Sequence, residues 1–178
     1  MKTKHWIYAI IIFGVALRVY DLFTVYAIGV DGIEYVRTAE RIVRGDFGAA
    51  LKGTRLPLYP AIIAVFHFIV GDMEWAGRVA SVSFGLLLVG LCYFFVKKFW
   101  GEEPAIITAA TIAIQPYLVR YSVLVLSESS AALLFTTSVF LFYRGWIERK
   151  PTFLCISGVF LMLSYLTRSE YLIYFVPL

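Results

Sequence analysis

Val79-Ala-Ser-Val-Ser-Phe-Gly-Leu-Leu-Leu-Val-Gly-Leu-Cys-Tyr-Phe-Phe-Val96 decides the fold class. The run carries no charge, and Lys97-Lys98 closes it. A spanning helix needs about 20 mainly apolar residues. Inside lipid its backbone amides have only each other as partners. The rest of the composition agrees. Of 178 residues, 61% are hydrophobic and 16% charged, against roughly 45–50% and about 25% in a soluble domain. Too few charges remain to coat a water-facing surface, which excludes a soluble domain. The apolar content equally excludes a disordered chain. The expected fold is all-α, a multi-pass transmembrane helical bundle.

Working outward from this run, the expected spans are about 6–25, 76–97, 104–119, 128–146, 151–167 and 171 onward. The first has no small-residue cleavage site after it, so it reads as a retained signal anchor. The last run opens at Tyr171 and meets Leu178, so the chain reads as the N-terminal part of a longer membrane protein. Net charge is +4, scattered between apolar runs. It fits a membrane charge bias and gives no footprint for nucleic acid. Cys92 and Cys155 lie in uncharged runs without a CxxC or a nearby His, which argues against a metal or redox role.

The run Leu56–Gly71 is short and opens with Pro57 and Pro60. If it crossed, with the N-terminus inside, Lys97-Lys98 would fall outside. If it lies in the interface or dips in and returns, Lys2, Lys4, Lys97, Lys98, Arg144, Arg149 and Lys150 are all cytoplasmic. The second arrangement obeys the positive-inside rule at every short loop. The expectation is therefore a cytoplasmic N-terminus and one long outer loop with interfacial helices at about 31–45 and 56–71. Arg120–Glu128 and Thr167–Glu170 then share that outer face.

The first of these helices is amphipathic. Tyr35, Val36, Ala39, Ile42 and Val43 fall on one face, and Glu34, Arg37, Arg41 and Arg44 on the other. Gly45 is a helix stop. Asp31 with Glu34 three residues on is a capping-box pattern, and the same carboxylate is also placed to act as a base. Glu34 is also placed to pair with Arg37. Arg55 sits at a polar–apolar boundary, where a guanidinium either snorkels or binds a phosphate. His67 lies within an apolar run and reads as packing. Pro116 ends or kinks the incoming helix. Glu128 follows Ser127 at the start of the next helix, where the macrodipole favours a carboxylate. Arg168 either anchors the interface or marks a site, since ionisable residues near membrane depth are costly.

In order, these segments are Leu17-Arg18, Asp31 with Tyr35, Arg55-Leu-Pro-Leu-Tyr-Pro60, Arg78, Lys97-Lys98-Phe-Trp-Gly101, Pro116, Arg120-Tyr-Ser122, Ser127-Glu128 and Leu166-Thr-Arg168. Together they resemble the N-terminal part of the GT-C glycosyltransferases. The nearest branch is the protein mannosyltransferase and aminoarabinose transferase superfamily. Leu56 stands where the family has a first proline, and Gly32 where it often has a second acid. The resemblance implies a multi-pass cell-membrane enzyme that uses a polyprenyl-phosphate sugar donor on the extracytoplasmic face. It matches Asp31 to the family's presumed base and Glu128 to its second-loop acid.

The chemistry asks for the same groups. An acceptor hydroxyl needs a base, and a leaving phosphate needs cations. Asp31 and Glu128 are the catalytic candidates. Arg55, Tyr59, Arg120, Arg168 and Tyr35 are the substrate-binding ones. Two outer carboxylates are able to share a divalent cation, though no pattern specifies one. Partners are the lipid donor and membrane lipids. A transporter or non-catalytic assembly module is the competing class; a transporter would want its polar groups near the midplane, and an assembly subunit would leave the outer carboxylates scattered in space.

Overall fold

The computed structural model describes residues 3–25, 28–53 and 56–170, with side chains from Trp6 onward. The described residues form α1 (Thr3–Thr24), α2 (Val30–Val43), α3 (Phe47–Leu51), α4 (Leu58–Val70), α5 (Met73–Trp100), α6 (Glu102–Ile114), α7 (Pro116–Val123), α8 (Glu128–Glu148) and α9 (Pro151–Thr167). No strand occurs among them. The run expected to span from 171 onward lies outside the described residues.

Among the described residues three helices are long and apolar enough to cross a membrane: Trp6–Thr24 of α1, and all of α5 and α8. The quoted run forms most of α5, which has 28 residues. At 1.5 Å per residue that is about 42 Å, longer than a hydrocarbon core of about 30 Å. By contrast α4 has 13 residues, about 20 Å. It runs almost directly into α5. Gly71 takes φ +83°, and the Asp72 carboxylate accepts from the Trp75 amide at 2.8 Å. That pair of residues turns the chain within one step.

The stretch 104–119, expected as one span, is divided. Pro116 has no amide hydrogen, so α6 stops at Ile114 and α7 begins at Pro116. Gln115 is extended between them, and its side chain caps α7 through the Leu118 amide at 2.8 Å. The break takes the Ala113 carbonyl out of the helical ladder. Arg18 answers it, donating from Nη1 at 3.2 Å, with a second bond to the Gly14 carbonyl at 3.1 Å. Arg18 is only 1% exposed. Freed backbone groups at membrane depth need a protein partner, and here a buried guanidinium from α1 supplies it.

Packing converges on α5, which touches α4, α6, α7 and α8. One apolar cluster gathers Tyr35, Ala39, Tyr59, Ile63, Ala76 and Val125. The other joins Ile7, Val89, Tyr93, Ala105, Ala109 and Ala113. Helices α8 and α9 lie against each other through small residues. Ser138 and Ser157 exchange hydroxyl-to-carbonyl bonds at 2.8 Å in both directions. The Lys98 ammonium meets Glu148 at 2.9 Å, tying the ends of α5 and α8 together. The start of α8, the end of α9 and helix α2 meet at the opposite end of the bundle.

Candidate functional site

Helix α2 starts one residue before Asp31. Its N-cap is Gly29, with no side-chain capping bond. The capping-box reading of Asp31 and Glu34 is therefore corrected: Asp31 lies inside the first turn. There its charge still complements the macrodipole. Of the expected apolar face, Tyr35, Val36, Ala39 and Ile42 pack into the core, whereas Val43 at the helix end is exposed. Tyr35 and Ala39 are buried, with Gly32 and Thr38 beside them. Gly45, at φ +79°, follows the helix end.

Gly32 allows the approach that builds the site. A Cβ there would come within 2.7 Å of the Ile28 side chain and 3.1 Å of the Val125 carbonyl. An acidic side chain at this position would push α2 off the segment leading into α8. With glycine, α2 closes in and Tyr35 reaches Ser127, hydroxyl to hydroxyl, at 3.0 Å. The Tyr35 ring stands edge-on to Tyr59, with centroids 5.0 Å apart.

Tyr59 is completely buried. Its hydroxyl meets Ser81 Oγ at 2.7 Å and the Gly77 carbonyl at 3.2 Å. Burial pushes its phenol well above the usual range. Ser81 continues the chain by donating to the Leu126 carbonyl at 3.1 Å. Tyr59 thus braces Tyr35 from behind and does not line the cavity described next.

Glu128 opens α8 with Ser127 as N-cap. Arg168 is the first residue after α9 and has an extended backbone. Its Nη1 pairs with Glu128 Oε1. Its Nε and Nη2 form a fork on Glu170, at 3.1 and 3.2 Å. The hydrogen bonds to Glu170, helped by the charge of Glu128, outweigh partial burial and hold the guanidinium above its usual range. Glu128 Oε2 is buried without a hydrogen-bond partner. A buried acceptor in that state is costly and suits an incoming donor.

Around this pair lies a cavity of about 110 Å³, lined by Asp31, Tyr35, Leu56, Glu128, Thr167, Arg168, Ser169 and Glu170. Four segments meet there: α2, Leu56 ahead of α4, the start of α8 and the end of α9. Asp31, Tyr35, Glu128 and Arg168 come together as wall residues. Arg120 does not join them. It is exposed on α7, with Nη1 4.0 Å from Asp21. Arg55 lies outside the described residues, although its neighbour Leu56 is part of the wall. Among the described residues no group of three His, Cys, Asp or Glu is placed to hold a metal ion.

Sequence reasoning passed over three contributors. Glu170 chelates Arg168, and its signal was an acid two residues after a membrane-boundary arginine. Ser127 was given no role of its own, yet it holds Tyr35. Gly32 read as a missing acid, whereas its lack of a side chain is what the packing uses.

The family model for dolichyl-phosphate-mannose-protein mannosyltransferase matches residues 54–178 of this chain. That range contains Tyr59, Glu128, Arg168 and Glu170, and begins after Asp31 and Tyr35. No curated protein and no solved structure matches the chain.

Proposed function

The chain belongs to the dolichyl-phosphate-mannose-protein mannosyltransferase family, membrane glycosyltransferases of the GT-C type, and from that premise we propose that it moves a sugar from a polyprenyl-phosphate donor to an acceptor hydroxyl at the extracytoplasmic face of the cell membrane. The observation that carries this reading is the cavity shared by Asp31, Glu128 and Arg168. Base, acceptor and leaving phosphate must meet in one geometry, and these side chains come from segments far apart in sequence.

In this reading Asp31 takes the proton of the acceptor hydroxyl. The freed oxygen bonds to the anomeric carbon. The bond from that carbon to the phosphate oxygen breaks, and its electron pair leaves on polyprenyl phosphate. Glu128 Oε2, buried and without a partner, accepts a hydrogen bond from a sugar or acceptor hydroxyl. Tyr35 shapes the wall beside Asp31.

The leaving phosphate needs positive charge as its own charge develops. Among the described residues the wall holds the carboxylates of Asp31, Glu128 and Glu170 against the guanidinium of Arg168. Arg168 therefore serves the phosphate by exchanging a carboxylate for it. Arg55 is the second cation assigned to that task. Arg120, on Asp21, is not required by this arrangement.

Asp31→Asn tests the proposal in the full-length protein. Asparagine keeps size and polarity but cannot take the proton. Transfer from polyprenyl-phosphate mannose, measured on membranes with matched amounts of folded protein, is expected to fall roughly 100-fold or more. The N-cap is Gly29, so folding should be unchanged. Near-wild-type transfer by Asn would end the catalytic assignment.

A further inference from the structure

Helix α2 borders a second cavity, of about 230 Å³, lined by Glu34, Arg37, Thr38, Arg41, Lys52 and Gly53. Its charge is opposite in sign to that of the Asp31 cavity. Among the described residues three cations face one carboxylate here, whereas three carboxylates face one guanidinium there. Arg37, Arg41 and Lys52 are all exposed. Arg41 Nη1 donates to the Ala49 carbonyl at 3.4 Å. The Thr38 hydroxyl donates to the Glu34 carbonyl at 2.9 Å, which fixes that wall.

Next to it in the chain is α3, whose C-cap is Lys52 and which carries Phe47 and Leu51, 60% and 69% exposed and one turn apart. A cationic hollow beside exposed aromatic and aliphatic side chains matches an anionic head joined to a hydrocarbon tail. Basic residues at a membrane surface are attracted to acidic lipids. Amphipathic interfacial helices present this same combination of faces.

We propose that this cavity is a binding site for the phosphate headgroup of an anionic membrane lipid, held by Arg37, Arg41 and Lys52, with the lipid's tail laid over Phe47 and Leu51. It shares no lining residue with the Asp31 cavity and takes a neighbouring face of α2. It needs no step of the transfer reaction, so its test stands or falls apart from the proposed activity.

The test uses the full-length protein in neutral detergent, titrated with phosphatidylglycerol or phosphatidylcholine and read by native mass spectrometry. Wild type should retain phosphatidylglycerol in preference to phosphatidylcholine. The triple variant Arg37→Gln, Arg41→Gln, Lys52→Gln should weaken that retention by roughly 100-fold. Arg44→Gln is the control. Arg44 is the exposed C-cap residue of the same helix, pairs with Glu40 at 3.7 Å, and does not line the cavity. It should bind as wild type does. Equal loss in Arg44→Gln and the triple variant would reduce the effect to general surface charge and overturn the site. So would full retention by the triple variant. Inorganic phosphate at matched concentration should leave the bound phosphatidylglycerol in place. Displacement would make this a site for free phosphate and overturn the lipid assignment. All three substituted side chains are exposed, and an unchanged melting temperature confirms that each variant is folded.

Discussion

Arg168 is the residue on which the cavity turns. It bridges two acids, through Nη1 to Glu128 and through a fork to Glu170. The fork depends on a planar guanidinium, which an ammonium does not copy. Arg168→Gln is expected to lower the transfer rate roughly 100-fold, the scale of removing one charge-stabilising donor. Arg168→Lys should restore only part of that loss. Both variants should accumulate normally, because the pair is partly exposed and such pairs contribute about 1 kcal/mol or less. Initial rates at saturating donor, with protein level checked by immunoblot, decide it. Unchanged rates in Arg168→Gln would remove the residue from the reaction.

At the scale of single elements, several boundaries were legible. Pro116 marked the break in 104–119, and Gly45 marked the end of α2. The start of α2 was not legible, because Gly29 offers no capping side chain and Asp31 is a better cap by type. Nor was the partner of the helix break. Nothing local to Arg18 indicates that its guanidinium reaches Ala113, 95 residues away. The same junction contains a glycine whose role is steric. A Cβ on Gly85 would meet the Ser122 Cβ at 2.7 Å and Arg18 Nε at 3.4 Å. Gly90, on the same helix, would meet nothing within 4 Å. Gly85→Ala is therefore expected to destabilise the bundle by about 1–3 kcal/mol, the usual cost of overpacking. Gly90→Ala should be neutral or slightly stabilising, since alanine is the better helix former. Melting temperatures of the two variants in the same detergent test this. Equal shifts would mean that α5 and α7 are not in close contact at Gly85.

For the whole molecule, apolar runs and the positions of lysines and arginines were enough to group Asp31, Glu128 and Arg168 near helix ends of one kind. They could not show that the three meet around one cavity. That meeting rests on Gly32 and on a buried chain from Tyr35 through Ser127 and from Tyr59 through Ser81, which joins residues 35 to 127 and 59 to 126. Contacts of such sequence separation leave no local pattern.

The same charge argument gives a direction across the membrane. Lys97 and Lys98 end α5, and Arg144, Arg149 and Lys150 surround the end of α8. The bond between Lys98 and Glu148 holds these two ends together. With α5 and α8 as spans, these ends share one face whichever way the bundle is oriented, and the cavity at the start of α8 lies at the other. The positive-inside rule assigns the lysine-rich end to the cytoplasm. Paired cysteine probes test the assignment in intact cells. The background is Cys155→Ser, because Cys155 is exposed whereas Cys92 is buried. Gly48 is exposed with open space beyond its Cα, so Gly48→Cys should be tolerated. It is expected to react with a membrane-impermeant thiol reagent before the cells are opened. Lys150→Cys, at the other end, should react only after permeabilisation. The reverse pattern would turn the bundle over and move the proposed transfer to the cytoplasmic face. Labelling of both before permeabilisation would deny that the helices between them separate the two ends.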